Sequence, residues 1–404
     1  MRHLTIKNIG PLANVDISLN RINLIIGPQS TGKSCILKIA SFCAWLEKAI
    51  ELNQTEEVFL IREAIEIRLI AFHNMQDYFS EESFFEYETD AMRFSYSFKT
   101  NRKSFEWKER RWDFKRNKIA YLVAERNVLS VVPNWYEIHF PNNSLRYFLI
   151  EWKNAKNFMK SLPNGLSILN TGINYGYDKN KETDLIRLED GKELNLQNAS
   201  SGLQSLIPLY VYVNYVTDGI FNMDMQSVKD QDITTNLFFQ LKNNHPDGGY
   251  IYIDGNRIAV AAQELNEIVD RFTKYDHSDI YLEEPEENLF PETQYDLVNW
   301  LAELLNGERK HSLFIATHSP YIMSAFNNLI QAGDIIEDSP EKRAEVEEII
   351  GGNRAINYDD VAAFAISDGR VHSIKDDELR LISPSELDTA SDNISNVFNQ
   401  LLQL

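Results

Sequence analysis

Cysteine is nearly absent from this sequence, and its two cysteines, Cys35 and Cys43, are too few for a disulfide framework or a cysteine-based zinc site. We expect two reduced thiols, of which Cys35 could still react with thiol reagents. No uninterrupted apolar run reaches the roughly 20 residues that a membrane-spanning helix needs. The opening residues, MRHLTIKNIG, lack the apolar stretch of a signal peptide. These absences favour a cytoplasmic protein without a membrane partner.

The chain also lacks an excess of positive charge, since its formal net charge is −20. This value argues against a surface that coats nucleic acid over its whole area, but it leaves room for a local basic groove or a basic partner. The 404 residues suit one large unit with an insertion or side lobe. Sustained heptads are missing too, which argues against a long coiled-coil arm.

Residues 27–34, Gly-Pro-Gln-Ser-Thr-Gly-Lys-Ser, match the pattern G-x-x-x-x-G-K-[ST] at every required position. A short apolar run that predicts a buried strand, Ile22–Ile26, precedes them, and helical spacing follows from Ser34. In such a loop the backbone N–H groups face a phosphate, Lys33 supplies positive charge, and Ser34 offers a hydroxyl to Mg²⁺. The alternative is a chance match in a glycine turn. The predicted nucleotide-binding residues here are Gly27, Pro28, Gln29, Ser30, Thr31, Gly32, Lys33, Ser34 and Cys35.

A second motif joins a predicted strand, Ile280–Leu282, to two carboxylates. Phosphoryl transfer to water needs one acid near the metal and another to orient the attacking water. We assign Glu283 to Mg²⁺ and Glu284 to the water. The alternative is a solvated turn at a strand end. Residues 286–288 could be solvated loop residues or part of a subunit interface.

Two further segments have polar or small residues next to predicted core elements. His318 follows the apolar strand Phe314–Ala316 and could contact a γ-phosphate, although a structural histidine is the alternative. Ser200, Ser201 and Gly202 precede an apolar helix. They could simply cap that helix, or the helix N-terminus could face a γ-phosphate held by another subunit.

In this order the motifs resemble the ABC-type ATPases of the SMC, RecF and OLD group. The Glu-Glu-Pro-Glu sequence that starts at Glu283 is typical of OLD-like members, and Ala124–Arg126 resembles a motif of stand-alone bacterial ATPases. The segments that match are the Walker A loop (Gly27–Ser34), the signature loop (Ser200–Gln204), Walker B (Ile280–Glu284), the D-loop (Glu286–Leu289) and the switch histidine (His318).

The resemblance implies an α/β fold, namely an ABC-type P-loop NTPase head with a mixed sheet and an inserted helical and β subdomain. It implies that ATP and Mg²⁺ bind, that Lys33, Glu284 and His318 are catalytic, and that the chain forms a homodimer or higher even oligomer. The signature loop of one subunit would complete the nucleotide site of another. The sequence departs from the family at Glu283, where Asp is usual, and in the signature, Ser-Ser-Gly-Leu-Gln. The glutamine loop of the family cannot be placed.

OLD-family proteins carry a Toprim nuclease after the ATPase, but this sequence lacks the expected acidic pattern. The pairs Asp359–Asp360 and Asp376–Asp377 are more simply surface acids. We therefore predict no nuclease in this chain. Relatives without one work beside a separately encoded effector, notably in bacterial anti-phage defence, and the resemblance implies such a partner here.

The remaining patterns predict the domain organisation. We expect helical structure over Glu56–Phe79 and a hairpin or meander over Phe84–Lys118. The predicted units are residues 1–50, the first half of the head; 51–165, the inserted subdomain; 166–332, the second half of the head; and 333–404, a small C-terminal lobe. Further predicted elements are helices at Leu145–Leu162 and Ala261–Tyr275 and hairpins at Leu185–Leu196 and Tyr250–Ile258.

A basic and aromatic stretch, Lys99–Lys118, supports two interpretations. It could be a groove for DNA or RNA, with cations for phosphates and rings for bases. We favour an amphipathic hairpin with buried rings and a solvated charged face, because half-buried strands alternate in this way.

The function that we predict is an ATP-hydrolysing switch that controls a partner effector. One alternative is a DNA-binding repair ATPase of RecF type, and another is an ATP-binding scaffold with slow turnover.

Overall fold

A computed structural model of the chain describes residues 2–132, 134–159, 162, 165–178, 183–221, 270–383 and 397–402. The predicted hairpin Tyr250–Ile258 and most of the predicted helix Ala261–Tyr275 lie outside these ranges. Within the described ranges, no helix combines the length and the apolar character that crossing a bilayer requires.

The strands occur in runs that are separated by helices along the chain. The strands are β1 (Arg2–Ile9), β2 (Leu12–Leu19), β3 (Ile22–Ile26), β4 (Phe79–Glu88), β5 (Met92–Ser97), β6 (Arg102–Trp107), β7 (Asn117–Leu122), β8 (Leu166–Ile168), β9 (Ile173–Asp178), β10 (Thr183–Arg187), β11 (Glu193–Asn195), β12 (His277–Glu283), β13 (Ser312–Thr317), β14 (Val361–Ser367), β15 (Arg370–Ser373), β16 (Lys375–Asp376) and β17 (Leu381–Ile382). The α-helices are α1 (Lys33–Asn53), α2 (Arg62–Ile65), α3 (Val128–Val131), α4 (Ser144–Met159), α5 (Ser201–Thr217), α6 (Pro291–Leu305), α7 (Pro320–Asp338) and α8 (Arg343–Ile350).

The main sheet has eleven described strands in the order β6-β5-β4-β1-β2-β15-β14-β3-β13-β12-β7. The five strands from β14 to β7 pair in parallel. Strands β3 and β13 are buried along their whole length, as their apolar sequences predict for strands covered on both faces. Parallel pairing places the carboxyl ends of these strands at one edge. The predicted α/β fold class with a mixed sheet is confirmed.

On the other side of the main sheet, strands β2, β1, β4, β5 and β6 pair antiparallel. Strands β4, β5 and β6 form the predicted meander and extend the sheet from β1. Alternation of buried and exposed residues in β5 matches a strand with one face on the core. The helical prediction for Glu56–Phe79 is right for only part of the segment. An α-helix (Arg62–Ile65), a π-helix (Glu66–Ala71) and a 3-10 helix (Gln76–Tyr78) form there, and Phe79 already begins β4 because it pairs with Ile9.

A second sheet of four strands, in the order β11-β10-β9-β8, contains the predicted hairpin at Asp190–Gly191. Helices α4 and α5 pack against each other, with the ring of Phe148 edge-on to that of Tyr212 at 5.3 Å between centroids. The predicted bounds of α4 and α5 are right to within a few residues.

Residues 361–373 fall in the predicted small C-terminal lobe, and they form strands of the main sheet. Strand β14 pairs with β3, the strand that leads into the glycine-rich loop, and β15 joins β14 to β2. The cause is composition, because six of the seven residues of β14 are buried, and such a strand gains most in the interior of a sheet.

A buried charge cluster lies at the amino end of β12. Asp279 is fully buried, and its carboxylate contacts Arg2 at 3.0 Å and the side chain of Asn117 at 2.6 Å. Burial alone would raise the pKa of Asp279, but Arg2 and His277 outweigh it and hold the pKa well below its usual value. His277 lies 3.1 Å from Asp276 and 3.6 Å from Asp279, and these carboxylates outweigh burial and raise the pKa of His277 to about 9.

The cluster predicts a stability that depends on pH. A histidine with a raised pKa in the folded state stabilises fully below its unfolded pKa, and this contribution disappears as the pH rises through about 9. The free energy of unfolding of the wild type should exceed that of His277→Gln by about 2–3 kcal/mol more at pH 6 than at pH 10. Urea unfolding at both pH values measures this difference, and a difference independent of pH would contradict it.

Candidate functional site

Three predicted motifs meet at the carboxyl edge of the parallel strands. Nζ of Lys33, from the loop after β3, lies 3.3 Å from Nδ1 of His318, which follows β13. Nε2 of His318 lies 3.6 Å from Oε1 of Glu284, at the end of β12. If Lys33 donates to Nδ1, the proton of the neutral ring lies on Nε2, facing the Glu284 carboxylate. A cation, an imidazole and a carboxylate that are far apart in sequence thus form one row.

The loop before α1 has the backbone of a phosphate cradle. Gly32 has φ 106°, and a Cβ atom there would lie 2.6 Å from Cδ2 of Leu12, so glycine is required on both counts. Among the described residues, no side chain caps the N-terminus of α1, which leaves its first N–H groups available to an anion. The loop is therefore suited to bind a phosphate chain.

Lys33 is held at the base of this loop. Its ammonium donates to the carbonyl oxygens of Gly27 and Pro28, each at 2.7 Å, and the residue is only 4% exposed. Burial lowers the pKa of Lys33 to about 8, although Glu284 and Glu286 oppose the shift. A phosphate bound in the loop would add negative charge and favour the charged form of the Lys33 amine.

The acidic loop that begins at Glu283 positions more than one group. Glu284 has φ 43°, and its N–H donates to the carbonyl of Ala316 at 2.9 Å. Oε1 of Glu286 accepts from the backbone N–H of His318 at 2.6 Å. The sequence leaves Glu286 as either a solvated loop residue or an interface residue, and the structure instead shows it fixing the backbone of the histidine.

The residues that we predicted to hold Mg²⁺ have suitable donor chemistry. Glu283 is buried and accepts from the hydroxyl of Tyr121, and burial raises the pKa of its carboxyl. A nearby cation would favour its ionised form. Ser34 supplies a hydroxyl in the first turn of α1. The described residues contain no cluster of three or more metal-binding side chains. Mg²⁺ at phosphate sites typically takes one or two protein ligands with phosphates and water, so the residues fit.

The signature segment lies at the start of α5, with Ser200 in the N-cap position and without a side-chain cap bond. Ser200 and Ser201 are exposed. No hydrogen bond or ion pair in the described part of the chain joins them to the glycine-rich loop. Gly202 packs instead against the D-loop of the same chain, where an added Cβ would lie 3.0 Å from the carbonyl oxygen of Asn288. The two serines thus remain on the surface, outside the row of Lys33, His318 and Glu284.

Arg126 is a site residue to which the sequence assigned no role. Its side chain is 1% exposed, and its guanidinium donates to the carbonyls of Glu283 at 2.9 Å and Glu284 at 2.7 Å. The only signal in the sequence was the Ala124–Arg126 motif, which did not indicate these partners.

Most cations of the basic stretch Lys99–Lys118 are paired or stacked with neighbouring side chains. Arg111 stacks on the rings of Trp107 and Trp112, with its guanidinium carbon 3.9 and 4.4 Å from their centroids. Ion pairs join Lys99 to Glu82, Lys103 to Glu56, Lys108 to Glu88, Arg110 to Asp113, Lys115 to Asp276 and Lys118 to Glu151. These pairs support the amphipathic hairpin over an open groove for nucleic acid.

No model of a known protein family matches this sequence. No curated protein matches it either.

Solved structures show similarity across most of the chain. The SMC head domain from Thermotoga maritima is 11% identical, covers 93% of this chain and 98% of its own, and has a TM-score of 0.37. The recombination mediator RecF is 12% identical, with coverages of 92% and 97% and a TM-score of 0.30. A dimeric bacterial ABC transporter cassette is 10% identical, with coverages of 91% and 96% and a TM-score of 0.30. The case for a nucleotide site comes from the contacts within this chain.

Burial predicts the reactivity of both thiols. Cys35 is 3% exposed, with Sγ 3.9 Å from the carbonyl oxygen of Ile9, and burial raises its pKa to about 12. Burial therefore disfavours the reaction with thiol reagents that the sequence left open for Cys35. Burial also raises the pKa of Cys43.

A disulfide reagent at pH 8 should label neither thiol of the native protein quickly and should label both in denaturant, because only the thiolate attacks. The variants Cys35→Ser and Cys43→Ser assign any labelling that occurs. Fast labelling of native Cys43→Ser would contradict the buried position of Cys35.

Proposed function

We propose that this protein binds and hydrolyses ATP as a molecular switch. The observation that carries the proposal is the row of Lys33, His318 and Glu284 beside an uncapped helix N-terminus. Lys33 and the loop N–H groups bind the phosphates, and Glu284 orients the attacking water and takes its proton. His318 lies between the two and contacts the terminal phosphate.

Mg²⁺ would be held by Ser34 and Glu283 and would supply charge neutralisation at the phosphates. Buried Glu283 is suited to this role because its ionised form needs a cation nearby. Tyr121 orients this carboxyl, since its phenol hydroxyl donates to Oε1 of Glu283. Glu284, which is at the surface end of the strand, keeps its side chain available to water.

We further propose that ATP drives self-association, as a homodimer or higher even oligomer. The exposed Ser200 and Ser201, with Gly202 beside them at the start of α5, would reach the phosphates of a second copy. Large apolar side chains flank the site in support of a contact there. Phe290, directly after the D-loop, is 72% exposed, and Tyr321, three residues after His318, is 54% exposed.

The output of the switch is control of a separately encoded effector, with anti-phage defence as the setting that the resemblance suggests. Three of the described acids after His318 have contacts that favour a structural role over a nuclease role. Asp360 pairs with Arg21 at 3.1 Å, Asp377 accepts from Tyr358 at 2.6 Å, and Asp376 accepts from nearby backbone N–H groups. Each therefore has a structural partner.

The first test measures size by light scattering with ATP and Mg²⁺ while phosphate release is followed in the same samples. Wild type should associate and hydrolyse, Lys33→Ala should do neither, and Glu284→Gln should accumulate the associated state with little phosphate released. Glu345→Gln, an exposed carboxylate on α8, is the matched control and should behave as wild type. A molecular mass that is the same with and without ATP would contradict the switch. The phosphate release would then decide whether the protein is an ATPase.

The lowered pKa of Lys33 predicts how ATP affinity depends on pH. In the free protein the amine loses its proton as the pH rises through about 8. Because phosphate binding needs the charged form, affinity should fall by up to about tenfold per pH unit above that value. Titration calorimetry over roughly pH 7 to 9.5, a range that brackets the pKa of Lys33, measures the fall.

Lys33→Arg, whose guanidinium stays charged, should show affinity independent of pH over the same range if it binds. Near the upper end of this pH range, ATP binding to wild type should also take up a proton. The binding enthalpies measured in two buffers of different ionisation enthalpy reveal that uptake. Constant affinity without proton uptake would contradict the assignment of Lys33.

A further inference from the structure

Arg126 makes a set of contacts that the proposed chemistry does not use. Its Nη1 and Nη2 atoms donate to the consecutive carbonyls of Glu283 and Glu284, at 2.9 and 2.7 Å. Its Nε atom donates to the carbonyl of Ser205 in α5 at 3.2 Å. One buried side chain from the segment after β7 thus touches both the end of β12 and the start of the signature helix.

Only arginine can make these contacts. The guanidinium presents five donors in a rigid plane, whereas the ammonium of lysine is a single point with three donors. Burial lowers the pKa of Arg126, and the carboxylates of the acidic loop oppose the shift, with Glu287 nearest at 3.8 Å. A buried charge costs much free energy unless it is fully partnered, so the contacts must persist while the protein is folded.

The contact with Glu284 supports an uncommon backbone conformation. Glu284 has φ 43°, in the left-handed region that non-glycine residues seldom adopt. Its N–H is bonded to Ala316 and its carbonyl to Arg126, so both polar groups of this residue are held. These bonds fix the direction in which the Glu284 side chain leaves the strand, toward His318.

A second contact joins the same two elements. Nδ2 of Asn288, in the D-loop, donates to Oγ of Ser205 at 2.9 Å. Gly202 lies so close to the carbonyl oxygen of Asn288 that an added Cβ would be only 3.0 Å away. Helix α5 also accepts a bond at the carbonyl of Gln204 from the hydroxyl of Ser130 at 3.0 Å. The first turns of α5 therefore cannot shift without moving the acidic loop or breaking these bonds.

We propose that Arg126 is a positioning residue that couples the acidic loop, residues 283–288, to the first turns of α5. A change at the nucleotide that moves Glu284 then moves Gly202 and the exposed serines beside it, and docking of those serines on a second copy acts back on Glu284. This coupling rests on the proposed ATPase function. It adds that one buried guanidinium, which contacts no substrate, links hydrolysis to association.

The test compares Arg126→Lys with Arg187→Lys, a matched control in which an exposed arginine paired with Glu193 is changed. Amide hydrogen exchange is measured with and without ATP and Mg²⁺, together with kcat, KM and the affinity for ATP. In wild type and in the control, ATP should slow exchange both in residues 27–35 and in residues 202–206.

In Arg126→Lys, ATP should still slow exchange in residues 27–35, with an affinity close to that of wild type. The slowing in residues 202–206 should be lost, and kcat should fall by about 10- to 100-fold because Glu284 is misplaced. A purely structural role would lower the melting temperature and leave the ATP-dependent difference in residues 202–206 in place. That outcome, or an unchanged kcat, overturns the coupling.

Asn288→Ala provides a second route if Arg126→Lys does not fold. It removes the bond to Ser205 without leaving a buried charge, and it should reduce the ATP-dependent slowing in residues 202–206 while ATP still binds. Slowing equal to that of wild type overturns the coupling. Failure of the wild type to bind ATP overturns the proposed function and the coupling with it, whereas normal hydrolysis with unchanged exchange in the variants overturns the coupling alone.

Discussion

Parallel pairing of β3, β13 and β12 is the constraint on which the candidate site depends. These strands come from distant parts of the chain, and their fixed register places Ile26, Thr317 and Glu283 at the same edge of the sheet. The loops that follow therefore begin within reach of one another, which is why ligands gather at the carboxyl ends of such sheets. Everything proposed for Lys33, His318 and Glu284 follows from that register.

Acidic and basic side chains are buried around this edge, and the charged form of each depends on an opposite charge nearby. Lys33 is buried enough for its pKa to fall to about 8, and Glu283 is buried enough for its pKa to rise. A phosphate chain with a metal ion would relieve both shifts at once, because each group would gain an opposite charge. The guanidinium of Arg126 is also a buried charge, and it is stabilised by hydrogen bonds to the backbone carbonyls of the acidic loop. The site and its proposed ligand are thus complementary in charge.

Much of the fold could be predicted because the signals were local. The apolar run Ile22–Ile26, the glycine-rich loop and the helix after it follow one another in sequence, and their structure follows from short-range rules. The predictions of secondary structure and domains failed where strand pairing with a distant segment outweighed the local sequence pattern. Phe79 joins β4 because it pairs with Ile9, and Val361–Ser367 enters the main sheet beside β3 rather than a separate lobe. The partner strands β1 and β3 lie far away in the sequence, so the residues around each segment do not predict the pairing.

The sequence by itself determined which side chains are candidates for the chemistry, since a phosphate-binding loop, two carboxylates after a strand and a histidine after another strand each have a recognisable pattern. Only the tertiary structure decided how those groups are held. Glu286 bonds the backbone of His318, and Arg126 bonds the backbone of Glu283 and Glu284 across 157 and 158 positions of sequence. Each of these bonds has a main-chain atom as one partner. Because every residue has such atoms, no residue type or spacing predicts which of them will be bonded. The bonds of Arg126 form because folding buries a charged guanidinium and leaves carbonyls as its partners.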